Sequence, residues 1–313
     1  MTIMVEGLTK TFASGRGKRR RTTDAVRHIS FTIDPGERVA YIGPNGAGKS
    51  TSIKILTGIL QPTGGHASVL GIVPWQQRKK LAARIGTLFG QRSMLWMELT
   101  PRQSYRMLAA IYGLDGTRER QRIGVLAELL DANDLIDVPV RSLSLGQRMR
   151  CELAACMLHN PEVLFLDEPT IGLDLLAKQR FRDLLVRLNE EQRTTIFLTS
   201  HDVADIEHVA RRAIVINHGT VIYDDDVVAM RRNLLSSKVI EVSLTTPIAP
   251  MFGTGVMVQS DSDTGMKLVV NTTATTIRTV LDVLLDGPAV ADITVVDPPL
   301  EEVIAEIYSH PRR

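Results

Sequence analysis

Residues Gly43 to Ser50 read GPNGAGKS, after the short apolar run ERVAYIG and before a helix-like segment, TSIKILTGI. A Gly-x4-Gly-Lys-Ser pattern between a strand and a helix commits this part of the chain to one strand–turn–helix unit. Its glycines let backbone N–H groups turn inward around phosphate oxygens. Lys49 supplies a point charge to the β- and γ-phosphates, and the Ser50 hydroxyl suits a magnesium ion.

The rest of the chain fits around that unit. After Pro161, EVLFLDE, RTTIFLTS and RRAIVINHG read as strands, separated by the helices LLAKQRFRDLLVRLNEE and DVADIEHVA. Short apolar strands alternating with helices predict a largely parallel sheet covered on both faces. From about 75 to 160 the periodicity is helical, as in TPRQSYRMLAAIYGL and RERQRIGVLAELLDA, which predicts an inserted subdomain. TIMVEGLTKTF and VRHISFTID predict two antiparallel strands. Five of the six residues from Arg16 to Arg21 between them are basic. That run reads as a solvated hairpin loop, with a contact to anionic lipid or nucleic acid as the alternative. The division is expected at 236/237. Beyond it, KVIEVSL, GVMVQS, MKLVVN and DITVVDP read as strands and TTIRTVLDVLLD and LEEVIAEIYSH as helices, a small α/β appendage. YDDD, Tyr223 to Asp226, reads as a solvated turn rather than a metal site.

Composition narrows the class. The chain has 313 residues, 44% apolar and 23% charged, with a net charge of +2. Such a balance is ordinary for a globular protein and carries no global basic field toward nucleic acid. No apolar run approaches the roughly 20 residues a membrane helix needs, and MTIMVEGLTK lacks a secretory leader. Cys151 and Cys156 sit five apart on one predicted helix, facing different ways, so no disulfide is expected. A soluble cytoplasmic chain is expected, with any membrane role exerted through a partner.

Further residues carry chemistry. VLFLDEPT, Val163 to Thr170, puts Asp167 at the carboxyl edge of a strand, where sheets of this kind bind ligands. Asp167 suits a metal through water, and Glu168 can accept a proton from an attacking water; the plain alternative is an ordinary strand-ending acid pair. His201 in LTSHD should reach the same edge, and Gln91 in LFGQRS could touch both metal and water. LSLGQRMR, Leu143 to Arg150, places Ser144 and Gly146 before an apparently uncapped helix, a second anion site.

In this order the motifs resemble those of the ATP-binding-cassette ATPases, the nucleotide-binding subunits of ABC transporters, over Met1 to about Ala229. The resemblance implies an α/β P-loop NTPase fold: a parallel-sheet core with an antiparallel β edge, an inserted helical subdomain, and here a small C-terminal α/β appendage. It implies ATP and Mg²⁺ as cofactors. Phe12 would stack on adenine. Gly43, Pro44, Asn45, Gly46, Ala47, Gly48, Lys49, Ser50 and Thr51 would form the Walker A loop. Asp167 would join Ser50 and Gln91 at the metal, with Glu168, His201 and Gln91 catalytic. Leu143 to Gln147 would be the signature, in which Ser144, Gly146 and Gln147 touch nucleotide held by a second subunit; Leu145 departs from the usual Gly. Asp174 would be the D-loop aspartate.

The implied partners are a second copy or homologous cassette and separate membrane permease subunits, with no nucleic acid, at the cytoplasmic face of the membrane. The segment GQRSMLWMELTPRQSY lies where such subdomains meet the permease. Trp96 with Met94, Leu95 and Met97 there reads as an apolar docking groove, the alternative being burial in the subdomain core. That segment and the appendage resemble ABC-2 type exporters, and the appendage is assigned to dimer contact or regulation. A soluble cassette acting on nucleic acid or ribosomes is the second reading. It has only the basic loop in its favour, since the chain has one cassette and no heptad run.

Overall fold

A computed structural model describes residues 1–14, 21–89, 93–234, 237–246, 252–262, 264–285 and 290–296. The basic loop up to Arg20, Gln91 and the helix expected at LEEVIAEIYSH lie outside these residues. The chain divides into two compact units, the first ending at Val227 and the second beginning at Val228.

The first unit opens with strands β1 (Ile3–Ser14), β2 (Arg21–Ile33) and β3 (Arg38–Ile42), then helix α1 (Lys49–Leu56). There follow β4 (Gly64–Val69), α2 (Arg78–Ala82), β5 (Ile85–Phe89), α3 (Pro101–Ile111), α4 (Gly116–Leu129) and α5 (Leu145–Met157). The chain continues through β6 (Val163–Asp167), α6 (Leu175–Gln192), β7 (Thr195–Thr199), α7 (Val203–Val209), β8 (Arg212–Asn217) and β9 (Thr220–Asp226).

The main sheet has six strands in the order β5-β6-β7-β3-β8-β9, parallel except for the antiparallel β8–β9 edge. β3 and β7 are buried at every residue, as are Val163 to Leu166 of β6. Strands covered on both faces read as largely apolar runs, as VAYI, VLFL and IFL do here, with Arg38, Thr195 and Thr199 as the buried polar ends of β3 and β7. Beside the main sheet β2-β1-β4 form an antiparallel sheet. Phe31, Tyr41, Phe165 and Phe197 cluster in the core, with Tyr41 and Phe197 ring centroids 5.1 Å apart.

Three sequence expectations need correction. The stretch from about 75 to 160 is not helical throughout: IGTLF forms β5 and pairs in parallel with β6, so the helices α3 to α5 follow a strand of the main sheet. YDDD is not a turn. It ends β9, and Asp224 accepts from Nε and Nη2 of Arg212 across the hairpin at 2.6 and 2.9 Å. A short run of acids looks solvated until its strand partner is known. In the apolar segment after Gln91, Leu95 is buried and Met94 packs on the core, whereas Trp96 and Met97 are about 40% exposed. The segment is thus half core and half surface.

Cys151 and Cys156 are buried and free. Among the described residues no helix is long and apolar enough to cross a membrane.

Helix α8 (Val227–Leu234) spans the unit boundary. The second unit holds β10 (Ser237–Leu244), β11 (Val256–Ser262), β12 (Gly265–Asn271), α9 (Ile277–Leu285) and β13 (Val290–Val296). Its antiparallel sheet runs β11-β12-β10-β13. Ile240, Val242 and Leu268 share a small core with Val280 and Leu284, so α9 covers one face.

Candidate functional site

The turn from β3 into α1 forms a cleft of about 360 Å³ lined by Pro44 to Thr51, Ala25, Glu168 and His201. Gly48 makes the turn possible. Its φ is +108°, and a Cβ there would stand 2.3 Å from the Ala25 carbonyl oxygen, so only glycine passes. Ala47 N–H turns back onto Pro44 O at 3.1 Å, whereas the N–H groups of Gly46, Gly48 and Lys49 meet no acceptor among the described residues. Free donors at a helix N-terminus facing a cleft suit an oxyanion.

Lys49 is buried and its ammonium is held locally. It donates to Gly43 O and stands 3.4 Å from Pro44 O and 3.3 Å from His201 Nε2. Burial pulls its pKa below the usual lysine range, opposed by the charges of Glu168 and Asp167. Ser50 is exposed at the cleft, and its hydroxyl has no partner among the described residues.

The opposite wall is the end of β6. Thr199, last residue of the adjacent β7, organises both acids. Its hydroxyl donates to Asp167 Oδ1 at 2.7 Å, and Glu168 N–H lies 3.1 Å from both the Thr199 hydroxyl and carbonyl oxygens. Glu168 adopts φ +53°, a conformation side chains rarely take and one that collects at functional sites. Its carboxylate accepts His201 N–H through Oε2 at 3.2 Å. Oε1 is buried without a hydrogen bond, with His201 Nε2 3.3 Å away at ion-pair distance. Burial pushes the Glu168 carboxyl above its ordinary range, although His201 and Lys49 pull the other way.

Two supports escaped sequence reading. Thr199 carries no motif of its own; its position directly across from Asp167 in the β6–β7 register was the only available signal. Asp205, fully buried, accepts from Thr170 Oγ1, from Ser200 Oγ at 2.6 Å and from Arg182 Nε at 2.6 Å. It ties the loop after Glu168 to the loop carrying His201.

A second cleft of about 270 Å³ gathers Ser144, Gly146, Gln147, Asp174 and Ala177. Here the uncapped helix is corrected. Ser144 Oγ accepts Gln147 N–H at 3.2 Å and Gln147 Oε1 accepts Ser144 N–H at 2.9 Å, a complete capping box. Asp174 caps α6 by accepting Ala177 N–H at 2.8 Å. Gly146 permits the close approach of the two helices, since a Cβ there would stand 2.9 Å from Ala177 Cβ. Leu145 is part-exposed and Leu143 packs on the core.

Phe12 is 42% exposed and does not line the first cleft. It pairs with Thr23 in register, two residues from Ala25, with Lys10 Nζ 5.2 Å from its ring centroid. Gln91 lies outside the described residues. Buried Glu152 on α5 accepts from Met94 N–H at 2.8 Å and from the Ser93 hydroxyl, anchoring the segment just after it.

Comparison with known proteins places this geometry. The ABC transporter family profile matches residues 26–171. The chain is 32% identical over 205 residues to the ABC transporter ATP-binding protein NatA of Bacillus subtilis, covering 66% of this chain and 83% of that protein. It is also 32% identical over 307 residues to the daunorubicin resistance ATP-binding protein DrrA2 of Streptomyces coeruleorubidus, covering 95% of this chain and 94% of that one. A solved ATP-binding cassette, a dimer in a post-hydrolysis state bound to ADP and Pi, superposes with TM-score 0.63 at 26% identity, over 72% of this chain and 98% of that chain. A cleft lined by the free N–H groups of the Gly43–Thr51 turn faces a strand-ending acid pair inside a fold shared with those cassettes, and the chain belongs to the ABC transporter family as an ATP-binding, ATP-hydrolysing subunit.

Proposed function

We propose that two such chains close head to tail around ATP, and that this closure drives separate membrane permease subunits in the direction of export. The separation of the two clefts carries the reading: the Gly43–Thr51 cleft and the Ser144–Asp174 cleft share no lining residue. Ser144, Gly146 and Gln147 therefore serve the nucleotide of a second copy or a homologous cassette. Ile171, Leu175 and Leu176, beside Asp174, are 54%, 78% and 71% exposed, an apolar rim that a second chain would cover.

Within each composite site Lys49 and the loop N–H groups hold the terminal phosphates. Ser50, Asp167 and Gln91 hold Mg²⁺. The fit rests on the unpartnered Ser50 hydroxyl and on Asp167, which Thr199 engages through Oδ1 alone. When bound, the ion neutralises charge on the β- and γ-phosphates. Glu168 accepts the proton of the attacking water, and its raised pKa brings it toward the operating pH. His201 orients Glu168 and faces the γ-phosphate, while Phe12 stacks on adenine.

Trp96 and Met97 are the surface half of the permease contact, fixed from behind by Leu95 and Glu152. Export is supported by the resistance relative, whose match runs the length of this chain and takes in the C-terminal unit. The C-terminal appendage, expected from the sequence at residues 237–313, serves dimer contact or regulation. The chain acts at the cytoplasmic face of the membrane through its permease partners.

Mixing two inactive variants tests the shared site. Ser144→Arg fills the place of the γ-phosphate on the partner, and Lys49→Ala removes the loop cation. In a mixed dimer both defects fall in one composite site and leave the other intact. Tight binding of one nucleotide per mixed dimer is expected, with turnover where one site suffices. If heterodimers form and neither recovery occurs, Ser144 acts within its own chain.

A further inference from the structure

At the amino ends of β3, β7 and β8 lies a cleft of about 650 Å³ lined by residues from four separate segments: Pro35 to Arg38; Asn189, Glu190 and Arg193; Arg211 and Arg212; and Asp226. The Gly43 loop leaves the opposite end of β3. At about 3.3 Å per residue, a five-residue strand separates the two by roughly 15 Å.

The floor of this cleft is unusual. Arg38 is 8% exposed, and its Nε and Nη1 are buried without a hydrogen bond. The nearest carboxylate oxygen, Glu190 Oε1, is 3.7 Å from Nη1, beyond hydrogen-bond reach, on a side chain 62% exposed. Burial and the like charge of Arg211 both hold the Arg38 guanidinium below its usual range, with Glu190 opposing.

Arg212 is already committed, with Asp224 on both prongs and with Glu37 at 3.3 Å. Arg193 and Arg211 are exposed at the rim, and neither has a hydrogen bond or ion pair from its side chain among the described residues. Among the described residues, Arg38, Arg193 and Arg211 thus line one cleft in which their one ion-pair contact is the 3.7 Å approach of Glu190 to Arg38, with the Glu37 and Asp226 carboxylates also in the lining. A buried charge is tolerated when an opposite charge and hydrogen-bond acceptors meet it. Guanidinium forks match oxyanions, above all phosphate.

We infer that this cleft binds the phosphate group of a small soluble anion, with Arg38 on the floor and Arg193 and Arg211 closing over it. A phosphate offers enough oxygens to face three separate donors, more than one carboxylate supplies. The site is distinct from the nucleotide cleft, sharing no residue with it.

The test uses the full chain with its nucleotide cleft saturated by a non-hydrolysable ATP analogue, so that the Gly43 loop is closed to the probe. Inorganic phosphate is then titrated calorimetrically. One binding event is expected, weakened at least tenfold in Arg193→Ala/Arg211→Ala, whose changes are at exposed positions. Arg38→Met should abolish it as well, without loss of thermal stability in phosphate-free buffer, because no hydrogen bond at Nε or Nη1 is removed. A second arm measures sedimentation with phosphatidic-acid vesicles. Vesicle retention unchanged by the arginine substitutions is expected of a soluble ligand, whereas retention lost with them overturns that assignment in favour of a lipid headgroup. Phosphate affinity that is absent in the parent chain, or equal in the parent and all variants, overturns the site.

Discussion

The two clefts of the first unit proposed to face nucleotide are built on opposite principles. Around Gly43–Thr51, free backbone donors, a buried ammonium and a strained acid line one cleft, with the ammonium held by Gly43 O and the acid by His201 N–H. Around Ser144 the helix end satisfies part of its own needs through the capping box, and exposed apolar residues stand beside it. The first is organised for chemistry before any partner arrives. The second is a stable, ordinary helix start that gains a purpose from what is laid against it. Substitutions in the first cleft should therefore disable the isolated chain, and those in the second should spare it.

The glycines give the sharpest form of this contrast. Gly48→Ala forces a Cβ to 2.3 Å from a backbone oxygen at φ +108°, so ATP affinity of the isolated chain should fall by at least about 100-fold in a nucleotide titration, some 2.7 kcal/mol. Gly146→Ala meets a methyl group instead, and the isolated chain should bind ATP normally while dimer closure weakens. Equal losses in the two variants would erase the distinction.

Glu168→Gln should lower turnover by about 10²-fold or more while ATP stays bound. Its pH behaviour follows from the sign of the shift. With the folded pKa raised, the carboxyl favours the folded state below its unfolded pKa, and this advantage is lost as pH rises through the folded value. The variant should gain stability over the parent at neutral pH and gain none in acid. The acidic limb of parent turnover should lie above the ordinary carboxylate range. A limb at the ordinary position would mean that Glu168 is better solvated than its burial implies.

Ser144→Ala is the mildest. Losing the cap should cost about 1 kcal/mol and lower the melting temperature by about 2–4 °C. ATP affinity of the isolated chain should not change. A loss of affinity there would join the two clefts into one machine within the chain.

Much of the first cleft was legible because its signals are local. GPNGAGKS contains its own geometry, and VLFLDE states both its strand and the acids that end it. Ser144 and Gln147 stand at the capping-box spacing, a local signal that the helix end closes on itself rather than staying open. Other features had no local trace. Nothing around Thr199 announces that its hydroxyl will meet Asp167, 32 positions earlier in the chain, because that contact exists only through strand register. IGTLF is too short for its periodicity to separate a strand from a buried helical turn, so the helical insertion seemed to begin too early.

By itself the sequence determined the strand–turn–helix core, the acids at the sheet edge, the order of the nucleotide motifs and the presence of a second small α/β region. These follow from backbone preferences and apolar periodicity within a dozen residues. Only the tertiary structure decided that Leu95 is core and Trp96 surface, that Asp224 pairs with Arg212, and that Arg38, Arg193 and Arg211 meet around one cleft. Each of those outcomes depends on which distant segment arrives as a neighbour. Burial and charge pairing are properties of the packed surroundings, which a stretch of residues does not carry.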